Sequence, residues 1–192
     1  MIYKRTALNR NAGFSTREED GNLHISGYFS VFGARYDLGF NGAYETVEKG
    51  AFNLSRDKDI RALINHDTTL VLGRTTAGTL DLRVDENGLY GDITINQDDQ
   101  DAMNLYARVK RGDVSQCSFG FDIIKQEEIR ENGVLSWHLT DVKLYEVSVC
   151  TFPAYEETGV KAREKDFKEM QEREAAALKQ RLREKLQGVK HA

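Results

Sequence analysis

Proline is nearly missing from this chain: Pro153 stands alone among 192 residues. Sixteen glycines, nine phenylalanines and eight tyrosines stand against it. That balance points to strands and turns, because aromatic side chains favour a pleated, half-buried surface. Cysteine is scarce too. Cys117 and Cys150 are too few for a disulfide framework, and the four histidines are too scattered to supply the roughly four clustered ligands of a structural zinc site. Two free thiols suit a reducing compartment. No apolar run approaches the roughly 20 residues that span a bilayer, which excludes a membrane-crossing helix. The opening MIYKRTALNRNAGF is basic with no apolar stretch behind it, so nothing indicates export. With 40% hydrophobic and 30% charged residues, one globular domain with a small remainder is expected, not disorder.

A surplus of basic charge is also lacking where a nucleic-acid binder would need it. The net charge of −4 divides unevenly, with −8 over residues 1–160 and +4 over 161–192. An acidic body argues against specific nucleic-acid binding, since phosphate recognition needs lysine and arginine along a groove. The basic tail is suited to RNA or to an acidic partner.

Periodicity predicts the elements. Leu23–Phe32 is β-rich, and Arg61–His66 reads as a strand with Ala62, Ile64 and His66 on one side. Gly78–Val84 and Gly88–Ile95 alternate around Asp85-Glu86-Asn87-Gly88, whose Asn-Gly pair signals a hairpin. Asp98–Asp113 reads as a helix, acidic in its first turn, basic in its last, with Gly112 at the C-terminal cap. Val114–Ile124 reads as a strand with Cys117, Phe119, Phe121 and Ile123 on one face and Gln116, Ser118, Gly120 and Asp122 on the other. Trp137–Phe152 is the longest strand pattern and stops at Pro153. Two parts follow: a β-rich domain over residues 1–160 and a charged helical tail over 161–192. In the tail Phe167, Met170, Leu178, Leu182 and Leu186 recur at helical spacing, with Glu174 interrupting the seam. A solvated tail and a helix with a partner both satisfy this pattern.

Three polar residues occupy segments that otherwise favour apolar or neutral side chains: His66, Ser118 and Glu146. A serine hydroxyl attacks only when a base takes its proton, and an imidazole serves best when an acid fixes its tautomer. These residues match the three roles, although residue pattern alone does not bring them together. A strand-end histidine is usually hydrogen-bonded or solvated, a strand serine is usually filler, and a strand glutamate usually faces water. Rival groups are weaker. Cys117 falls on the apolar face, as does Ser115 by the same alternation. Asp98, Asp99 and Asp101 are accounted for by helix capping. His24, His138 and His191 have no neighbours in sequence that suggest a role.

In order, GYFSVFGARYD, ETVEKGAF, INHDTTLVLGRT, GLYGDI, RGDVSQCSFGF and LYEVSVCTFPAYEET resemble the tailed-bacteriophage prohead (capsid maturation) proteases, relatives of herpesvirus assemblin. The resemblance runs from about Ser26 to about Arg163. It implies an α+β, β-rich fold: a closed antiparallel β-barrel flanked by helices, with a C-terminal amphipathic helix. It implies a serine endopeptidase with His66 as general base, Ser118 as nucleophile and Glu146 as third member, and with neither cofactor nor metal. The implied substrate is the major capsid protein or its scaffolding segment, along with the protease itself. The implied location is the assembling prohead in the host bacterial cytoplasm, and self-association is an associated expectation. One departure stands out. Assemblin carries an arginine-rich stretch after its third motif, whereas Thr151–Tyr155 has no arginine. Backbone amides near Phe119 or Gly120, or Arg74, are the candidate oxyanion donors. The alternative from another class is a non-catalytic capsid-assembly or scaffold-binding module on a protease-like fold.

Overall fold

A computed structural model describes residues 3–7, 14–152 and 157–189, without the side chains of 3–7, 157–164, 166, 170, 174 and 185–189. The chain divides into two compact units, Met1–Tyr155 and Glu156–Ala192. The first contains β1 (Tyr3–Ala7), β2 (Ser15–Glu19), β3 (Asn22–Val31), β4 (Tyr36–Asp37), β5 (Tyr44–Val47), β6 (Arg61–Ile64), β7 (Asp67–Arg74), β8 (Leu80–Val84), β9 (Gly88–Ile95), α1 (Gln100–Arg111), β10 (Gln116–Glu131) and β11 (Val134–Cys150). The described residues of the second form one long helix, α2 (Glu157–Val189). Pro153, expected to end the last strand, and His191 lie outside the described residues.

Local chemistry explains the connections. The β8–β9 hairpin forms as expected, with Val84 opposite Leu89, but Asn87 and Gly88 do not take positive φ. Asp85 makes the turn instead: its Oδ1 accepts from the backbone N–H of Asn87 at 2.8 Å and of Gly88 at 3.1 Å. Glycine is required at 88 for another reason, since a Cβ there would lie 1.9 Å from the Ser30 carbonyl oxygen. The Asn-Gly pair that does turn a hairpin is Asn132-Gly133, with φ of 52° and 81°, joining β10 to β11. Helix α1 starts where Asp99 Oδ1 caps the N–H groups of Asp101 and Ala102, and stops where Gly112 takes φ of 89°. It packs Ala102, Leu105, Tyr106 and Val109 against β2, β3 and β9. Burying Leu105 or Val109 stabilises by about 1.5–3 kcal/mol each.

The expected closed antiparallel barrel is not what forms. Two open sheets share one core. The four-stranded sheet runs β2-β3-β9-β8. The seven-stranded sheet runs β1-β10-β11-β5-β4, with β6 also paired to β11, and β7 paired to β6. Closure needs two edge strands to pair with each other, and among the described residues β1, β4 and β7 do not. The far edge of β11 is divided: β5 runs parallel to Ser136–Leu139, and β6 runs parallel to Glu146–Val149. Cys117, Phe119 and Phe121 turn into the core as expected, each fully buried, and Phe119 stacks on Phe121 with 4.9 Å between ring centroids. Among the described residues α1 is the only α-helix of this unit.

In the second unit, Leu178 and Leu182 are exposed, and Glu169 pairs with Lys165 and Arg173 one turn away on either side. The seam positions Met170, Glu174 and Leu186 lie outside the described side chains. Among the described residues no helix is long and apolar enough to cross a membrane.

Two glycine substitutions separate packing from turn strain. Gly88→Ala should cost about 3 kcal/mol or more in urea unfolding, because backbone on β3 must part from β9. Gly133→Ala, with φ of 81° and open space around it, should cost only about 1–2 kcal/mol. Equal costs would contradict the close approach at Gly88.

Candidate active site

The register of β10 on β11 positions the expected residues. Side chains directly opposite each other in an antiparallel pair project to the same face. Ser118 is opposite Ser148 and Gly120 is opposite Glu146, so Ser118, Ser148 and Glu146 share one face, the reverse of the Phe119–Phe121 face. Gly120 makes room for the carboxylate: a Cβ there would stand 2.3 Å from Glu146 Oε1. A bulge at Tyr145 sets this register, because Phe121 pairs with Leu144 directly after Gly120 pairs with Glu146. The bulge is clamped from the side. The Leu144 N–H donates to Asp57 Oδ2 at 3.0 Å, and Arg56 holds Asp57 through Nε at 2.8 Å and Nη2 at 3.0 Å while also reaching Asp141.

His66 reaches this face from the β6–β7 turn. The sequence expectation put it at a strand end, but β6 stops at Ile64, which pairs with Asp67 across a two-residue loop. Asn65 and His66 have φ of 51° and 62°, left-handed values that a tight hairpin of this hand requires and that asparagine and histidine tolerate better than most residues. The turn is tied to β11 and to Thr151 just after it by three bonds. Asn65 N–H donates to the Val149 carbonyl at 3.1 Å, His66 N–H donates to Ser148 Oγ at 3.2 Å, and Thr151 N–H donates to Asn65 Oδ1 at 2.9 Å. The imidazole Nδ1 then lies 2.6 Å from Glu146 Oε1. An ionised carboxylate only accepts, so Nδ1 carries a proton, and in the neutral ring the lone pair is then on Nε2. Glu146 Oε2 accepts from Ser148 Oγ at 2.7 Å. The His66 side chain is 7% exposed, and its Nε2 is buried with no hydrogen-bond partner. The structure therefore brings His66 to Glu146 and places Ser118 on the same face, without a Ser118–His66 hydrogen bond. Ser118 itself is fully buried.

Residues 11–173 match the sequence profile of the caudovirus prohead serine proteases. The chain belongs to that family. The prohead protease of Enterobacteria phage HK97 is 30% identical over 149 residues, a span of 74% of this chain and 61% of the relative. The chain thus covers less than two thirds of that relative's length. The solved capsid assembly protease of bacteriophage T4 shares the fold at a TM-score of 0.50 and 14% identity, covering 79% of this chain and 98% of the other.

Other positions weighed from this family member's sequence fare differently. Ser115 is exposed and precedes β10, so it is not on the apolar face of Cys117. Cys117 is buried and donates to the Tyr28 carbonyl at 3.1 Å. Arg74 is at the end of β7 remote from the turn and is bound to Asp59 at 2.6 and 2.8 Å, which occupies it as an oxyanion donor. The Phe119 and Gly120 amides belong to a strand flanked on both sides, by β1 and β11, so they lie in the sheet plane and not toward the face. Among the described residues no group of three or more His, Cys, Asp or Glu side chains is placed to hold a metal.

Sequence reading missed two features. Ser148 is one, although period-2 alternation from Glu146 puts it on the same face. The other is a second serine–histidine–glutamate chain on the β5 side of β11. Ser136 Oγ is 3.1 Å from His138 Nε2, and His138 Nδ1 is 2.8 Å from Glu48 Oε1. Thr46 Oγ1 donates to Glu48 Oε1 at 2.6 Å. Glu48 follows β5 in the chain, so no motif spacing announces this contact. Ser136 lies 3.4 Å from the Ile129 carbonyl, within donating distance, and with Thr46 the set ties β5 to β11.

Two outcomes test these geometries. Gly120→Ala should drive the carboxylate off the ring and abolish the far-downfield Nδ1-bound proton signal of His66 in NMR spectra; its persistence would show that the contact does not depend on Gly120. Thr46, followed by His138, holds the Glu48 carboxyl below its ordinary value of 4.5. A lowered folded-state pKa contributes stability that is present above the unfolded value and lost as pH falls through the folded one. The stability gap between wild type and Glu48→Gln should therefore be full above the ordinary carboxylate value of 4.5 and close as pH falls below it; a gap that widens on acidification would refute the assignment.

Proposed function

We propose that this chain is a serine endopeptidase that cleaves the capsid protein or its scaffolding segment, and itself, during prohead maturation. The observation that carries the reading is the 2.6 Å contact of His66 Nδ1 with Glu146 Oε1, on the face where β10 presents Ser118. Family membership and the relative from phage HK97 support the same reading. Its place of action is the assembling prohead in the host bacterial cytoplasm.

The chemistry assigns one role to each group. Ser118 Oγ attacks the scissile carbonyl carbon while His66 Nε2 takes its proton, and the carbonyl electron pair moves onto oxygen. Collapse of that intermediate breaks the C–N bond, and the imidazolium returns the proton to the leaving amine. Water, deprotonated by the same Nε2, hydrolyses the acyl-enzyme. Glu146 fixes the ring tautomer and stabilises the imidazolium. In sites without substrate the nucleophile–base hydrogen bond is often long and tightens only on binding. Because Ser118 is fully buried, substrate entry requires a rearrangement around it. The same burial favours a second reading, a scaffold-binding module on a protease-like fold.

Co-expression with the cognate capsid protein, read by intact mass, separates them. Ser118→Ala should lose at least about 10³-fold in processing and lose labelling by a fluorophosphonate, whereas Ser115→Ala and Ser136→Ala should process normally. Equal processing by wild type and Ser118→Ala would remove Ser118 as nucleophile. Absence of processing by either would favour the binding module.

A further inference from the structure

The Ser148 hydroxyl touches both members of the His66–Glu146 pair. It is fully buried, donates to Glu146 Oε2 at 2.7 Å, and accepts from the His66 backbone N–H at 3.2 Å. Resting on the endopeptidase reading above, we propose that Ser148 is a positioning residue that sets the distance and orientation between base and acid.

Glu146 has two oxygens and two different partners. Oε1 receives the imidazole proton and Oε2 receives the Ser148 proton, so both rotation of the carboxylate and the choice of oxygen facing the ring are fixed. The base is held by the same atom through its backbone. His66 occupies a left-handed turn position, and its N–H is the only one of the three turn bonds that β11 meets with a side chain. Thus the imidazole and the carboxylate are referenced to one hydroxyl, two residues along β11 from Glu146. The register completes the arrangement, because Ser148 is the residue directly opposite Ser118. Its proton is committed to Glu146, which separates its role from that of the nucleophile.

Ser148→Ala leaves a buried carboxylate oxygen without its donor and a part-buried N–H without its acceptor. A misplacement of the base by about 1 Å costs on the order of 10²-fold. The test uses the full chain and a peptide spanning a processed capsid-protein site. For Ser148→Ala, kcat should fall about 10–100-fold with KM within about twofold, and Ser148→Thr, which keeps the hydroxyl, should recover most of it. In a Glu146→Gln background the same change should have little further effect, because Ser148 acts through that carboxylate. An unchanged kcat in Ser148→Ala, or a full additional loss on top of Glu146→Gln, would overturn the proposal. So would fluorophosphonate labelling abolished by Ser148→Ala but retained by Ser118→Ala. If wild type itself shows no turnover, the endopeptidase reading fails separately. Ser148 is then judged by the Nδ1-bound proton of His66, whose loss in Ser148→Ala supports the proposal and whose retention defeats it.

Discussion

A carboxylate buried in the face of a sheet is tolerated only when its oxygens find donors, and the region around Glu146 is organised by that requirement. Burial leaves the residue 8% exposed, so neither oxygen can rely on bulk water. One donor comes from a turn on β6–β7, the other from a serine on its own strand. Remove either and one buried carboxylate oxygen loses its donor. The position also needs the missing side chain at Gly120, the bulge at Tyr145, and the Arg56–Asp57 clamp that receives the Leu144 amide. Binding demand and structural demand thus coincide at one residue.

The two faces of β10 divide the labour. One carries Cys117, Phe119 and Phe121, fully buried against the other sheet, and provides a rigid floor. The other carries Ser118 and Gly120, and what reaches them is decided by β11. The second histidine relay shows why hydrogen-bond geometry alone does not identify a catalytic centre. Ser136, His138 and Glu48 are linked end to end, yet they join β5 to β11, and the seryl oxygen is also near a backbone carbonyl. What distinguishes the His66 site is the buried Nε2, which has no hydrogen-bond partner. An imidazole nitrogen kept without a partner in the interior is unfavourable for folding and useful to a base.

Much of the fold could be read from residue pattern, and the exceptions have physical causes. Helix α1 was legible to within a residue or two because its caps, Asp99 and Gly112, are local. The β8–β9 pairing was legible too, although the glycine signal worked through packing on Ser30 and the turn was made by Asp85. Most of the far half of β10 is exposed and charged, so Lys125–Glu131 and the Asn132-Gly133 turn had no apolar alternation to reveal them. The open, mixed sheets were hidden because the parallel pairings of β5 and β6 with β11 join segments about 80 or more residues apart, and single-strand patterns do not encode partners. The site was legible only as motif order. No property of INHD or LYEVSV announces that one supplies an imidazole to the carboxylate of the other. Ser148 escaped notice because a serine in a strand is the least conspicuous polar residue there is.

The parallel pairing of β6 with β11 has a consequence in time. Synthesis proceeds from the N-terminus, and β6 leaves the ribosome long before β11 exists. The β6–β7 hairpin can form early because it is local, but His66 then has no carboxylate, and closing a loop of some 80 residues is a late entropic step. The acid that orients the ring is among the last parts of the first unit to be translated. On the proposed mechanism a nascent chain is therefore chemically silent, and competence arrives only with the completed sheet.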